Sequence, residues 1–301
     1  MNRPICLKSN CIQIIVCTSL VFCSLSASAH PFLWKATGEH EFYLFGTIHL
    51  PDPRVTHISD KIANALADSN SFYAELDLSE KNTMLIKQSM WLPDKKTLYD
   101  YLSKDLQDEI THYLKLIKPE LNLEFFAKQK IWVLAITLTV LEQQLKYPGL
   151  PPLDTKLFDK ATSLGLNTGG LETIDEQLGV FESLTTEQQL TFLDDTVEFM
   201  RSTIESDEAF IEESITAYLA GDLDILMNHL ISYMKDNEFY DLLLERLIDQ
   251  RNLKMVDKML SLTKQSPNEK YFFAVGAGHF WGDQGIHSIL EERGYKIQSV
   301  E

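Results

Sequence analysis

The stretch Glu41-Phe42-Tyr43-Leu44-Phe45-Gly46-Thr47-Ile48-His49 decides the fold, because an apolar run leads through a glycine to a histidine. Near the other end of the chain, residues 270–275 lead in the same way into Gly276-Ala277-Gly278-His279. Aromatic and branched runs of this length are typical of buried strands. A glycine at a strand end permits a sharp turn or a close backbone approach. Because open α/β sheets bind ligands at the carboxyl ends of their strands, we expect His49 and His279 to share one site.

A carboxylate lies at the end of a third predicted strand. After a β-hairpin and an amphipathic helix, the run Ser71-Phe72-Tyr73-Ala74-Glu75-Leu76 reads as a short strand that carries the carboxylate of Glu75 at its end. The order strand, loop, helix, strand is typical of a parallel βαβ unit. Two imidazoles and a carboxylate make a ligand set that suits zinc, manganese, iron or cobalt. The residues alone leave open whether Glu75 is a metal ligand or a general base.

Most of the chain between the two histidine motifs has a helical pattern. Apolar residues recur at helical spacing over about 79–147 and 175–264,. The most apolar part, residues 131–141, is shorter than the roughly 20 residues that span a bilayer. We therefore expect an α/β fold whose central mixed, largely parallel sheet is built from both chain ends around a large helical insertion. Residues 30–301 are expected to form a single domain.

The first 29 residues have the pattern of a secretory signal peptide. Arg3 and Lys8 precede a largely apolar run, and Ala27-Ser28-Ala29 resembles a cleavage site,. Lipidation of Cys23 is the alternative, but the preceding Phe22 is bulkier than the residue usual at that position. All four cysteines lie in this segment, so the predicted mature chain has no disulfide and no thiolate metal site. We expect a periplasmic or secreted protein.

Composition and motifs exclude several classes of function. The chain has 27 Lys and Arg against 44 Asp and Glu, a net charge of −17. An acidic chain is repelled by phosphate backbones and anionic bilayers, so we expect no nucleic-acid partner and no stable membrane insertion after cleavage of the signal peptide. The sequence has no His-Glu-x-x-His metalloprotease helix, no Gly-x-Ser-x-Gly elbow, no dinucleotide fingerprint and no P-loop,.

Four further polar residues are candidates for the site. Glu172 lies where a short strand meets a helix, and a plain charge at the start of a helix explains it equally well. Arg251 and Asn252 are placed to reach from a helix toward the sheet edge, although a solvated helix face is the simpler interpretation. His57 is close enough to His49 in the chain to contact and orient its ring. The ordinary alternative is a loop histidine that has no part in the site.

Taken together, these residues resemble the TraB/GumN/TIKI family. The matching segments, in family order, are Gly46-Thr47-Ile48-His49-Leu50, Glu75, Gly170-Leu171-Glu172-Thr173-Ile174-Asp175-Glu176-Gln177, Arg251-Asn252 and Gly276-Ala277-Gly278-His279. The resemblance covers nearly all of the predicted mature chain. The paired Gly-x-x-His motifs are specific as a pair, and the chain looks like an exported bacterial GumN-type member.

The resemblance implies an α/β fold related to the erythromycin-esterase and ChaN-like proteins. It also implies a metal-dependent protease, with manganese or cobalt favoured and zinc as a further choice, because the animal TIKI branch acts in that way on a secreted signalling protein. The essential residues of that branch map onto His49, His279 and Glu75. Glu172, Arg251 and Asn252 match further family positions, which would support the ligands or hold a substrate carboxylate. Other branches concern pheromone shutdown or polysaccharide production.

The sequence thus predicts an exported hydrolase that cleaves a peptide or protein substrate with metal-activated water. His49, His279 and Glu75 would hold the metal, and Arg251 would stabilise developing negative charge or a substrate carboxylate. Two alternatives remain open: a binding protein that holds a peptide or small ligand in the same cleft, and an esterase-like hydrolase that works without metal. The oligomeric state is not predicted.

Overall fold

The computed structural model describes residues 32–206, 209–232 and 234–300. The predicted signal peptide lies outside the described residues. Six strands form one sheet, and the strand bounds are β1 Leu33–Thr37, β2 Glu41–Thr47, β3 Ser71–Ala74, β4 Asn167–Gly170, β5 Tyr271–Gly276 and β6 Lys296–Ser299.

The sheet has the strand order β4-β3-β5-β2-β1-β6. β5 pairs in parallel with both β2 and β3, and β3 pairs in parallel with β4, whereas β1 pairs antiparallel with β2 and β6. The expected mixed, largely parallel sheet built from both chain ends is therefore confirmed. The expectation of a simple βαβ unit was wrong in one respect: β2 and β3 are parallel but not adjacent, because the C-terminal strand β5 lies between them.

Helices cover both faces of this sheet. On one face, Phe45, Phe72 and Phe272 pack with α1 (Asp60–Ala67) and α5 (Leu153–Ser163). On the other face, Leu44 and Phe273 pack with α11 (Gln250–Gln265) and α12 (Ile286–Glu292). Successive residues of a strand point to opposite faces, so the unbroken apolar runs of β2 and β5 supply both layers of the core.

The remaining helices form the insertion, and their bounds are α2 Glu80–Ser89, α3 Lys104–Ile117, α4 Ile131–Lys146, α6 Ile174–Glu182, α7 Thr186–Glu205, α8 Phe210–Ala220, α9 Leu223–Ser232 and α10 Glu238–Leu244. A separate apolar cluster centred on α3, α4 and α7 also includes α6 and α10, whereas α8 packs with the sheet through Ile215 and Tyr218. The apolar helix α4 is buried in that cluster, as the sequence suggested. Within the described ranges, no helix has the length and apolar character needed to cross a membrane.

Candidate active site

The sheet brings the two histidine motifs together at one edge. Thr47 at the end of β2 lies opposite Gly276 at the end of β5 in the parallel register, and Glu75 follows β3 on the other side of β5. A Cβ built on Gly276 would lie 3.1 Å from Oε1 of Glu75, 3.6 Å from Cδ2 of His279 and 3.7 Å from Nε2 of His49. The three predicted side chains therefore converge on the space that this glycine leaves free.

His49 is oriented by Asp154 at the start of α5. The Nδ1 of His49 lies 2.8 Å from Oδ2 of Asp154, and the Thr47 hydroxyl donates to Oδ1 of the same carboxylate at 2.5 Å. The His49 side chain is 62% exposed, whereas that of Asp154 is 11% exposed. Because Nδ1 is held by the carboxylate, Nε2 is the ring nitrogen that faces Gly276.

His279 is held in the same manner by Asn252 on α11. The Asn252 Nδ2 donates to the carbonyl of Gln284 at 2.8 Å, which turns its Oδ1 toward Nδ1 of His279 at 2.6 Å. An amide oxygen only accepts hydrogen bonds, so Nδ1 of His279 carries the proton and Nε2 has the free lone pair. Asn252 is completely buried and His279 is 4% exposed, which fixes the ring without solvent contact.

Glu75 is held from three sides. Its Oε1 accepts the backbone N–H of Gly276 at 2.7 Å and lies 3.7 Å from Nε2 of His279. Its Oε2 accepts from Nη2 of Arg251 and from Nε2 of Gln177, both at 2.6 Å. The carboxylate is buried and oriented, and Oε1 is the oxygen on the side of the histidines.

Arg251 is shared between Glu75 and Glu172. Its Nε and Nη2 contact both oxygens of Glu172 at 2.7 to 3.0 Å, and its Nη1 donates to the Leu247 carbonyl at 3.0 Å. Charge-assisted, bidentate pairs of this kind are the strong class of protein hydrogen bonds. All three nitrogens of the guanidinium are thus occupied within the protein, and the contacts make Arg251 a support for Glu75.

The charges give the two histidines opposite pKa shifts. Asp154 raises the pKa of His49 to about 9, with a further contribution from Glu75 and with Arg251 opposing the shift. Burial lowers the pKa of His279 to about 4, with Glu75 opposing and Arg251 reinforcing the shift.

The acids of the site are also shifted. Burial on its own would raise the pKa of Glu75, but Arg251 and the two histidines outweigh it and hold that pKa well below its ordinary value. Burial raises the pKa of Glu172 even though Arg251 opposes the shift. The site therefore presents a firmly ionised carboxylate at Glu75 next to a neutral imidazole at His279.

The chemical types of these side chains suit a divalent metal. Nε2 of His49 and Oε1 of Glu75 both flank the Cβ position of Gly276, and Nε2 of His279 lies 3.7 Å from the same Glu75 oxygen. Each ring is anchored through Nδ1 by an oxygen, as is usual for histidine ligands,. Among the described residues, no group of three or more His, Cys, Asp or Glu side chains is placed so that it could hold a metal ion as it stands. His49, His279 and Oε1 of Glu75 are the groups that would hold an ion at this edge.

Sequence reasoning missed two contacts and proposed one that is not made. Asp154 looks like an ordinary acid in the first turn of a helix, and only its tertiary contact with His49 distinguishes it. Gln177 belongs to the segment that resembles the family, but nothing in the sequence connects it to Glu75. His57 is exposed, and among the described residues it has no hydrogen bond to the site.

A model of the TraB/PrgY/gumN family matches residues 32–299. The chain belongs to this family. The matched segment contains the complete site, from Gly46 to His279, so membership extends to both Gly-x-x-His motifs and to Glu75 between them. As a TraB/PrgY/gumN member, the chain has the expected α/β sheet with its helical insertion.

Relatives of this TraB/PrgY/gumN member have names that include an activity. The chain is 30% identical to Metalloprotease TIKI2 of Danio rerio, an alignment that covers 89% of this chain and 60% of the relative. It is 26% identical to Metalloprotease TIKI1 of Homo sapiens, with 89% and 61% covered. It is 27% identical to a Metalloprotease TIKI homolog of Nematostella vectensis, with 90% and 67% covered. The chain spans about three fifths of the length of the first two.

Proposed function

We propose that this chain is an exported, metal-dependent peptidase whose centre is the group His49, His279 and Glu75. The observation that carries the proposal is the convergence of Nε2 of His49, Oε1 of Glu75 and the ring of His279 on Gly276, with Nε2 of His279 3.7 Å from the same Glu75 oxygen and each ring fixed through Nδ1. The metalloprotease names of the relatives support the same chemistry. Manganese or cobalt is the favoured ion, zinc is the next choice, and the periplasm or the secreted space is the place of action.

Each residue has a defined task in this proposal. A divalent metal held by the three side chains would activate water and polarise a peptide carbonyl. Both oxygens of Glu75 already accept hydrogen bonds, which favours a role as ligand over a role as general base. Arg251 keeps that carboxylate ionised and in place. Asp154 and Asn252 hold the two rings so that Nε2, and not Nδ1, faces the reaction.

One observation supports a second candidate, a hydrolase that works without metal. The pair Asp154–His49 resembles the carboxylate and histidine of a catalytic triad, in which the acid orients the ring that moves the proton. The ring of His49 is largely exposed, so a substrate can reach it. In that case His49 would act as the acid–base group and His279 would be a structural neighbour.

The test compares metal content and turnover in the same preparations. The predicted mature chain is stripped with a chelator, loaded with manganese, cobalt or zinc, and analysed for bound metal and for cleavage of a peptide library by mass spectrometry. His49→Ala and His279→Ala are compared with His112→Ala, which removes an exposed histidine of α3 whose contact is Glu205 at 3.5 Å. We expect near-stoichiometric metal and cleavage in the wild type and in the His112 variant, and neither in the other two.

The other outcomes separate the alternatives. Cleavage by stripped protein, lost in His49→Ala, would replace the metallopeptidase with the metal-free hydrolase. Bound metal without cleavage of any peptide would leave a metal-binding protein that is not a peptidase. Equal and negligible metal in all four proteins would reject the metal site.

A further inference from the structure

A cavity lies beside His49, outside the group of residues that faces Gly276. Its volume is about 100 Å³, and its lining includes His49, Pro51, Gln144, Tyr147, Leu150 and Pro152. The segment from Tyr147 to Pro152, which joins α4 to α5, supplies most of the wall. His49 is common to both places, since it lines the cavity and also directs Nε2 toward Gly276.

The wall of this cavity is preformed. The Leu150 N–H donates to the Tyr147 carbonyl at 3.2 Å, and Gly149 between them has φ +79. Proline followed by a glycine with positive φ is the signature of a type II turn. Pro152 then occupies the residue before the first turn of α5, so the same segment places Asp154 against His49. Proline fixes the backbone φ, and the wall needs little ordering when a ligand binds.

Size and polarity define the group that fits. A cavity of about 150 Å³ holds benzene, so one of about 100 Å³ suits a smaller branched aliphatic group better than an aromatic ring. Apart from His49, the residues that line it are uncharged. A cation placed there would lose hydration without gaining a partner of opposite charge, and an anion would have to compete with Asp154 for His49,.

We propose that this cavity is a specificity subsite that takes one uncharged aliphatic side chain, of the size of valine or leucine, from a peptide substrate. The inference rests on the proposed peptidase function and adds the class of residue that stands next to the cleaved bond. A side chain held against His49 places its own backbone beside Nε2, where the reaction would occur. Glycine leaves the cavity unfilled, tryptophan exceeds its volume, lysine would be left unpaired, and aspartate would compete with Asp154 for His49.

The test alters the cavity without touching the residues that face Gly276. Leu150→Trp should fill it and Leu150→Ala should enlarge it. The matched control is Leu164→Trp, which adds the same bulk at an exposed leucine after α5 that is 41% exposed and does not line the cavity. Metal content and melting temperature are recorded for each protein to show that the site and the fold are intact.

The readout is cleavage of a peptide library in which each position is varied in turn. In the wild type, one position beside the cleaved bond should favour valine and leucine over glycine, aspartate and lysine by at least about tenfold in kcat/KM, a usual range for a hydrophobic pocket. Leu150→Trp should shift the residue preference at that one position toward glycine and alanine. Leu150→Ala should shift the preference at the same position toward phenylalanine. Leu164→Trp should keep the wild-type profile.

Failure of the subsite is distinguishable from failure of the peptidase. If the wild type cleaves peptides but Leu150→Trp and Leu150→Ala keep its residue preference, the subsite is rejected and the peptidase stands. The same conclusion follows if Leu150→Trp lowers kcat/KM by the same factor for all substrates. If the loaded wild type cleaves no peptide, the proposed function is rejected and the subsite with it.

Discussion

At the scale of single residues, the two imidazoles obtain their orientation from partners outside their own motifs. Asp154 holds Nδ1 of His49, and Asn252 holds Nδ1 of His279. The partners differ in kind, because one is an ion and the other is a neutral amide, and the rings differ accordingly in exposure and in the direction of their pKa shifts. The exposed ring of His49 and the buried ring of His279 thus face the same space.

Replacing Asp154 with asparagine should weaken metal binding without removing a metal ligand. Loss of a residue that hydrogen-bonds to the non-ligating nitrogen of a metal-bound histidine typically lowers metal affinity 10- to 100-fold. We expect a loss of about that size, because the charge that fixes His49 disappears. The measurement is a competitive titration of metal against a chromophoric chelator. Asp159→Asn, an exposed change on the same helix α5, is the control, and equal affinities in the two variants would show that Asp154 does not hold the ligand.

His287 should make the fold sensitive to acid. Its ring lies between Trp34 and Phe280, with centroid distances of 4.3 and 4.9 Å, and burial lowers its pKa to about 4. The unfolded chain takes up a proton near pH 6.5, so the folded state binds fewer protons between these values and loses stability as the pH falls from about 6.5 toward 4.

The corresponding experiment compares the wild type with His287→Phe in urea. Between pH 8 and pH 5, the wild type should lose about 1–2 kcal/mol more unfolding free energy than the variant, given the size of the shift and the partial exposure of the ring. All other titrating groups are common to both proteins. An identical pH dependence in the two proteins would mean that His287 accepts its proton as readily when folded as when unfolded.

At the scale of elements, the ends of β2 and β5 are held by close contacts with their surroundings. A Cβ on Gly46 would lie 2.8 Å from Cβ of Phe32 and 3.2 Å from Cα of Ala277. Ala277 begins a 3-10 turn that contains Gly278 and ends at Phe280. The Gly46 carbonyl accepts a hydrogen bond from the buried Tyr218 hydroxyl of α8 at 2.8 Å. The helical insertion thereby fixes the strand end that presents His49.

The glycine of the first motif should therefore be needed for packing. Gly46→Ala should lower the unfolding free energy by about 1–3 kcal/mol, the usual cost of overpacking a core position. Gly179→Ala in α6 is the counterpart, because nothing lies within 4 Å of its Cβ position, and alanine in a helix interior should raise stability by about 0.5–1 kcal/mol. Chemical denaturation measures both changes, and a neutral Gly46→Ala would show that the turn moves aside at little cost.

At the scale of the whole molecule, the site depends on contact between distant parts of the chain. The N-terminal part supplies His49 and Glu75, α5 supplies Asp154, and the C-terminal part supplies Arg251, Asn252 and His279. The molecule also carries a net charge of −17, which opposes any compact arrangement of the chain through self-repulsion.

Salt should therefore stabilise the fold near neutral pH. Raising sodium chloride from about 10 mM to about 1 M shortens the Debye length from about 30 to 3 Å. If screening contributes about 1 kcal/mol, the melting temperature of a chain of this size rises by about 2–4 °C. Near pH 5, close to the sequence pI of about 4.9, the same change in salt should have much less effect. A salt response of equal size at both values would point to a cause other than net charge.

The local sequence determined the motif strands, the helical insertion and the chemical identity of the three converging groups. Apolar runs that end in glycine and histidine predict strands with a ligand at the carboxyl end, and this holds without knowledge of strand order. The resemblance to the family rests on the same local residues. Asp154 and Gln177 were not predictable, since an acid in a first helical turn and a glutamine on a helix are ordinary residues wherever they occur.

Tertiary structure alone decided that β5 lies between β2 and β3, which makes the ends that carry His49, Glu75 and His279 neighbours. Strand order depends on how helices fill both faces of the sheet, and this information is distributed over the whole chain. The roles of Asp154 and Asn252 have the same origin, because a hydrogen bond across more than 100 residues, such as that from Asp154 to His49, leaves no periodic trace in the sequence. Composition and pattern determined which groups are present, and packing determined which atoms of those groups face one another.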